Sequence, residues 1–573
     1  MKILFVNPPV GAWTTHGNHL APNQFHAQLI AYVREKKLAE VAAIDARGEK
    51  LDFDQTIMKM QMMKPDFIFL GEILHSTGGF APIWYFLETA RRIKELLPNV
   101  KIAVGGLWFS AMWKETLEEH KAVDFVILGE AELTLEDVLK AIDAGKTDFS
   151  AIAGLASRKG SDIVLGPHRA LIPDLNILPT PAYDLFPMDK YVGHTYWKPF
   201  AELMTSRGCP GGCTFCYEWS QYDARSPKDF VSWRIKSAEN ILNELEVLNK
   251  TYGTKVIVFQ DDAFNVNKAT VEAVCRGMIK RKIDMNWVIL GRADDWTRQL
   301  DIIPLMKEAG MFMGLLGVEV GSDEELKKIG KNVNTHQIFQ TIEALRKNGI
   351  MSVGTFMVGF EDDDEAGVKK RFEFADNADP DIFALQFFTP VPGSPFWKKY
   401  IDRGWINPKT IDLRKWDFQH PVVPTNKLSM DDVGRLGAWC VREFFGKPER
   451  AERLFTGNYH ELAKLCVKDY MANVGNFEKG ATEGHEGKEI LWNAGVQAKF
   501  KQALEKMPVF QRGMAEKMIS KKAFELAKEA NAFEVSEKEL VCAFFAETPG
   551  PFKGIMKNML KEINIDYTKY VKE

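Results

Sequence analysis

The stretch "TSRGCPGGCTFCY", residues 205–217, holds Cys209, Cys213 and Cys216, three of the chain's seven cysteines. Their spacing is C-x3-C-x2-C. A structural zinc site uses four ligands, often as two C-x2-C knuckles. No second knuckle occurs in the sequence. Three thiolates suit a 4Fe–4S cluster with one iron left open for a substrate or cofactor, the open-position logic of catalytic zinc carried to iron. Gly208, Gly211 and Gly212 let the backbone wrap closely around such a body. The other four cysteines, Cys275, Cys440, Cys466 and Cys542, are scattered. They read as buried thiols, not as a disulfide framework.

Outward from the loop, residues 200–400 repeat a strand–helix unit about six times. "AELMTSRG", "KVIVFQDDAF", "MNWVILGRAD", "FMGLLGVEVGS", "MSVGTFMVGF" and "IFALQFFTPVPGSP" read as successive strands. That order predicts an open or partial barrel, with chemistry at the strands' C-terminal mouth. Gln260, Asp261, Asp262, Arg292, Glu319 and Thr389 stand at those ends.

Residues 1–145 also alternate. "KILFV", "VAAID", "DFIFLG", "KIAVGG" and "DFVILGE" are short apolar runs separated by helical patterns. This predicts a doubly wound α/β sheet, Rossmann-like, with ligands at the strands' carboxyl ends. The contacts expected there are Asn7–Trp13, Glu72–Gly79, Gly105–Leu107 and Gly129–Glu130. Residues 146–199 read as a linker, extended over the proline-bearing stretch 172–187. Residues 401–573 are mainly helical in pattern, with helices expected over 428–446, 448–474 and 493–505 and a small module over 507–546. Within that module, "VSEKEL" fits a capping box of Ser536 and Glu539.

Composition narrows the function classes. Net charge is −4, from 74 basic and 78 acidic residues, with 46% hydrophobic and 27% charged residues. This balance argues against nucleic-acid or basic membrane-surface binding. No apolar run approaches the ~18 residues that span a bilayer. "MKILFVNPP" suits a buried strand and not a signal peptide. A cytoplasmic location is expected.

"CPGGCTFC" resembles the cysteine signature of the radical S-adenosylmethionine (SAM) enzymes. The resemblance runs on, in order, through "FQDDAF", "LGRAD", "GLLGVEVGSDEELKKIGK", "GTFMVGF" and "TPVPGSP". It implies a partial (β/α)6 barrel and a 4Fe–4S cluster on Cys209, Cys213 and Cys216. SAM would chelate the open iron and be cleaved, on one-electron reduction, to methionine and a 5′-deoxyadenosyl radical. By position, Phe215 would lie near the adenine. Gln260, Asp262, Arg292 and Glu319 would bind the rest of the cofactor.

The first 145 residues resemble the cobalamin-binding domain that precedes the barrel in one branch of that family, through "NPP", "IDAR", "GEILHSTGG", "VGGLWFS" and "FVILGEAELTLEDVL". The resemblance implies cobalamin contacts at Asn7, Leu74, His75, Ser76, Thr77, Gly105, Gly106, Leu107, Gly129 and Glu130. Gly105–Gly106 and Gly78–Gly79 would let the corrin approach the backbone. Many such domains carry D-x-H-x-x-G with a cobalt-ligating histidine, but none of the eleven histidines here sits in that frame. The lower cobalt face is therefore expected to meet the loop Glu72–Thr77, at Leu74 or His75. Residues 507–546 resemble the small helical domain that ends light-independent protochlorophyllide reductase subunits.

Together these resemblances imply a cobalamin-dependent radical SAM methyltransferase acting on an unactivated carbon. Tyr217, Glu218 and Trp219 would border the substrate cavity, with Tyr217 and Glu218 as the catalytic candidates. An electron donor is required. The substrate is a small molecule or a peptide or protein; the large helical C-terminal region suits the latter, for example a glutamine α-carbon in methyl-coenzyme M reductase. The alternative is a non-methylating cyclase of tetrapyrrole metabolism acting on magnesium-protoporphyrin monomethyl ester. A cobalamin-binding carrier with an inert barrel is opposed by the intact cysteine loop.

Overall fold

Lys2–Asn7, "KILFVN", carries the apolar run Ile3–Val6 between two polar residues, and it forms strand β1, second in the order of the first sheet. The structure is a computed structural model. It describes all residues except 11–18, 72–78, 222–231, 483–490, 493, 530–533, 549–551 and 572–573. The first sheet also contains β2 (Glu40–Asp45), β3 (Phe67–Gly71), β4 (Lys101–Gly105), β5 (Phe125–Ile127), β6 (Leu155–Lys159) and β7 (Asp162–Leu165), in the order β2-β1-β3-β4-β5-β6-β7. Strands β1 to β5 pair in parallel. The order reverses direction at β1, as in a doubly wound sheet, and the ligand crevice of such a sheet lies at the carboxyl ends there.

The first sheet continues past residue 145. β6 and β7 add an antiparallel hairpin to the edge of β5, within the stretch read as linker. They pair the backbone groups that β5 would otherwise leave open as an edge. The proline-bearing stretch is not an extended tether either. It folds through short 3-10 turns, and Tyr183 is buried, its hydroxyl 2.7 Å from Glu244 Oε1.

The second sheet is built from β8 (Phe200–Leu203), β11 (Val256–Phe259), β12 (Asn286–Arg292), β13 (Met311–Glu319), β14 (Met351–Val358) and β15 (Ile382–Phe387), in sequential order and all parallel. Between β8 and β11 a short antiparallel pair, β9 (Ser206–Arg207) and β10 (Arg234–Ile235), brackets the cysteine loop. Successive strand residues face opposite sides. One set, including Val258, Leu290, Leu315, Val353 and Ala384, lines an interior cavity. Helix Glu461–Thr482 packs Cys466, Val467 and Tyr470 into the apolar cluster at the strands' N-terminal ends, with Trp197, Val256, Met351 and Ile382. The single helix expected over 448–474 is two, Pro448–Thr456 and Glu461–Thr482, broken at Gly457 and Asn458.

The chain divides into two compact units, residues 1–433 with 440–477, and 434–439 with 478–573. The second has its own core, in which Phe500, Ala523, Val535, Leu540, Phe544 and Leu560 are buried together. Its helix Glu537–Glu547 opens on the expected capping box, Ser536 with Glu539. Among the described residues, no helix is long and apolar enough to cross a membrane.

Candidate functional site

Among the described residues of the first unit, two adjoining cavities carry the expected site residues. The first is walled by Gly106, Leu107, Ser110, Gly129 and Glu130 at the ends of β4 and β5, and faces Ser206, Arg207 and Asp261. The second fills the partial barrel, has a volume of about 250 Å³, and is lined by all three loop cysteines. Tyr217, Gln260, Asp262 and Leu290 line both.

The cysteine loop is hung from the end of β11. Asp261 Oδ1 accepts from Thr205 N at 2.8 Å, Thr205 Oγ1 at 3.0 Å and Ser206 Oγ at 2.6 Å, and also from Ser206 N. Burial nevertheless pushes the Asp261 carboxyl up to about 7. Asp262 accepts from Gly208 N at 3.3 Å and from the Tyr217 hydroxyl at 3.1 Å. Burial, then the neighbouring Asp262, holds the Tyr217 phenol firmly protonated. The paired acids of "FQDDAF" are thus loop anchors.

All seven cysteines are free thiols. Gly211 N donates to Cys209 Sγ at 3.4 Å, and Arg292 Nη1 lies 3.7 Å from Cys213 Sγ. A Cβ at Gly211 would meet Arg292 Nη1 at 2.5 Å, so a larger residue there would displace the guanidinium from its place beside the thiols. Burial and then Glu218 push the Cys209 thiol up to about 12, and raise Cys216 as well. Buried thiols of this kind become ligands when a metal body replaces their protons. All three thiols line one cavity, and a cubane takes one thiolate at each of three separate irons, so a soft three-thiol donor set of this kind suits it.

The second cavity has charges of both signs on its wall. Lys331 Nζ donates to Glu319 Oε1 at 2.9 Å, and Thr355 Oγ1 lies 3.3 Å from Glu319. Glu319 has φ +68°, a left-handed backbone that a glutamate adopts only under constraint, at a bulge between β13 and β14. A Cβ at Gly317 would meet Lys331 Nζ at 2.5 Å and Glu319 Oε1 at 2.8 Å. The glycine keeps that pair in place, and the pair suits an amino-acid end with one ammonium and one carboxylate. Phe215, Gln260 and Arg292 share this cavity. Gln260 Nε2 also donates to Glu202 Oε1 at 3.1 Å, and Glu202 accepts or shares a proton with His19 Nε2 at 2.8 Å.

The first cavity suits a ring with an amide-rich rim. Gly106 has φ +119° and Gly129 φ +64°, and Ser110 Oγ ties the two turns together, accepting from Gly129 N at 2.9 Å and donating to Gly106 O at 2.6 Å. Polar groups of the barrel face them across the slot.

Other expected site residues fall elsewhere. Asn7 lines neither cavity; its amide donates to Asp45 Oδ1 at 2.8 Å. Gly105 also lines neither, packing against the Phe69 ring. The room at Gly79 is taken by protein, since a Cβ there would meet the backbone of Trp416 and Asp417 at 2.6 Å. Glu218 and Trp219 do not border either cavity. Glu218 is buried beside the thiols, and Trp219 Nε1 donates to Cys213 O at 2.9 Å. Trp13, Gly78 and the loop with Leu74, His75, Ser76 and Thr77 lie outside the described residues. Sequence reasoning passed over Lys331, Thr355, Arg207 and Lys236. Lys331 sits inside "ELKKIGK", where nothing separates an inward lysine from its solvated neighbours.

Residues 203–375 match the Radical SAM superfamily, and residues 25–139 match the B12 binding domain. The chain therefore combines a radical SAM domain with a B12-binding domain, and these imply a 4Fe–4S cluster, SAM and cobalamin as its cofactors. An uncharacterized methyltransferase of Pyrococcus horikoshii is 29% identical over 84% of this chain and 98% of its own length. The anaerobic magnesium-protoporphyrin IX monomethyl ester cyclase of Rubrivivax gelatinosus is 26% identical over 82% of each chain. In fold, the chain resembles the cobalamin-dependent SAM radical enzyme OxsB with aqua-cobalamin and SAM bound, at TM-score 0.61 and 17% identity, covering 100% of this chain and 81% of that one.

Proposed function

We propose that this chain moves a methyl group from SAM, by way of cobalamin, to an unactivated sp3 carbon of a compact, largely apolar substrate. The observation that carries this reading is the shared wall: Tyr217, Gln260, Asp262 and Leu290 line both cavities. A substrate beside that wall would meet both cofactors. When bound, the cluster and SAM supply a hydrogen-abstracting radical, and cobalamin supplies a methyl carrier.

The chain's own residues bind, orient and shield. Cys209, Cys213 and Cys216 would hold three irons of the cluster. Lys331 and Glu319 would bind the charged amino-acid end of SAM, Phe215 would pack near its adenine, and Arg292 stands beside Cys213. Val258, Leu290, Met313, Leu315 and Val353 exclude water around a reactive carbon. Tyr217, its proton committed to Asp262, serves as a rigid divider. A cytoplasmic working compartment goes with this reading, because an open iron–sulfur site needs a reducing environment and the cysteines carry no disulfide.

The apolar lining supports a small molecule over a glutamine α-carbon presented by a protein such as methyl-coenzyme M reductase. Cyclisation is the second reading, supported by the Rubrivivax relative's name and the protochlorophyllide-reductase-like tail. The test is anaerobic turnover with methyl-labelled SAM and a one-electron donor, over apolar metabolites, a tetrapyrrole ester and a glutamine peptide, read by mass spectrometry. Methyl transfer yields a labelled product with S-adenosylhomocysteine and 5′-deoxyadenosine in equal amounts. Product with 5′-deoxyadenosine but no S-adenosylhomocysteine would establish the cyclase, and label in the peptide alone would overturn the apolar substrate.

A further inference from the structure

Arg207 stands two residues before Cys209, yet its side chain ends on the cobalamin domain. Its Nη2 donates to Glu132 Oε1 at 2.5 Å and its Nη1 to Glu132 Oε2 at 3.2 Å. Nη1 also lies 3.4 Å from Glu130 Oε1. The β9–β10 register sets Arg234 directly opposite Arg207. Arg234 Nη1 donates to the same Glu130 Oε1 at 2.7 Å and to Ile172 O at 2.7 Å, and Ile172 N donates back to Glu130 Oε2 at 2.6 Å. Two arginines thus meet two glutamates in a closed network. Glu132 is fully buried.

Both glutamates belong to one turn. Gly129 and Glu130 wall the first cavity, as does Arg207 itself. Glu132 opens helix Glu132–Asp143, where the N-terminal dipole favours a carboxylate. The cysteine loop therefore hangs between Asp261 and Asp262 of its own barrel and the turn 129–132 of the other domain.

A buried ion pair is a weak source of net stability, because desolvating both charges offsets their attraction. A forked arginine–carboxylate contact does fix distance and orientation. We propose that Arg207 is a positioning residue that ties the cluster-bearing strand to the turn walling the cobalamin cavity, so that occupancy of one cofactor site is felt at the other. This rests on the two-cofactor reading of the cavities. It needs methyl transfer only for one of its three readouts.

The test uses reconstituted holoenzyme, native and with Arg207→Gln, Arg207→Lys, Glu132→Gln and the double variant Arg207→Gln/Glu132→Gln. Hydroxocobalamin affinity is measured by equilibrium dialysis with and without the cluster. The electron paramagnetic resonance signal of the reduced cluster is recorded with and without cobalamin. The ratio of 5′-deoxyadenosine to methylated product is measured in turnover. In the native enzyme each cofactor changes the other's signal. In Arg207→Gln and Glu132→Gln that mutual effect disappears, and the ratio rises about tenfold, within the usual range of pairwise coupling. Arg207→Lys, with one donor point in place of a fork, restores part of the effect, and the double variant is no worse than either single one. Unchanged mutual effects in fully loaded Arg207→Gln overturn the proposal. Glu132→Gln keeps size and shape, and decides the matter where Arg207→Gln does not load. If the native enzyme cleaves SAM but makes no methylated product, the function reading fails, while dialysis and resonance still judge Arg207.

Discussion

At the scale of single residues, the chemistry of a side chain was clearer than its partner. Cys209, Cys213 and Cys216 were legible because three soft ligands at that spacing have few other uses. Asp262 was legible as a polar strand-end residue, but its hold on Gly208 and Tyr217 depends on where the cysteine loop folds back. His26 offered no signal at all. Its Nε2 accepts from Gly71 N at 2.8 Å, and burial lowers its pKa to about 3. The sign follows directly. Below an unfolded pKa near 6.5 the unfolded chain binds a proton that the folded chain refuses, so stability falls as pH drops from 6.5 toward 3, by up to about 1.4 kcal/mol per pH unit. His26→Gln, which keeps an acceptor but cannot titrate, should flatten this acid limb. Unfolding midpoints at pH 7.5, 6.5 and 5.5 for both proteins check it; parallel pH curves would refute the assignment.

At the scale of elements, strand and helix periodicities marked nearly every barrel strand, since parallel strands buried on both faces read as apolar runs. The hairpin β6–β7 was missed because "LASRK" and "DIVL" are short and half-polar, as edge strands are. Helix ends were local enough to read. The Ser536–Glu539 box formed as expected, and Ser536→Ala should cost about 1 kcal/mol in the second unit's own unfolding transition, measured by denaturant titration. The role of Gly317 emerged only from the β13 bulge. Gly317→Ala should displace the Lys331–Glu319 pair and weaken SAM binding about tenfold, as loss of a charge-assisted contact would. Iron content should stay unchanged. Calorimetry of SAM binding to the cluster-loaded variant is the measurement, and native affinity would argue that the pair binds something else.

At the scale of the whole molecule, the organising fact is one wall between two cavities. Tyr217 reads as a trailing aromatic in sequence and stands as a divider in the structure. Tyr217→Ala should open that wall and raise 5′-deoxyadenosine relative to methylated product, whereas Tyr217→Phe should stay near native because it keeps the ring. Chromatography of both products decides between a divider and a reacting phenol, since the latter role would be lost in both variants. The amino-acid sequence by itself determined the two α/β sheets, the clustering of three thiols in one loop and the cofactor class, because short-range periodicity and cysteine spacing are properties of neighbouring residues. Only the tertiary structure decided which glycines face a cavity and which face protein. It also decided that Glu218 backs the thiols and that Lys331 meets Glu319. Arg207 likewise crosses from the cysteine loop to Glu132. Each of these is a contact between residues distant in sequence, chosen by packing and by the need to pair buried charge, and no local pattern encodes it.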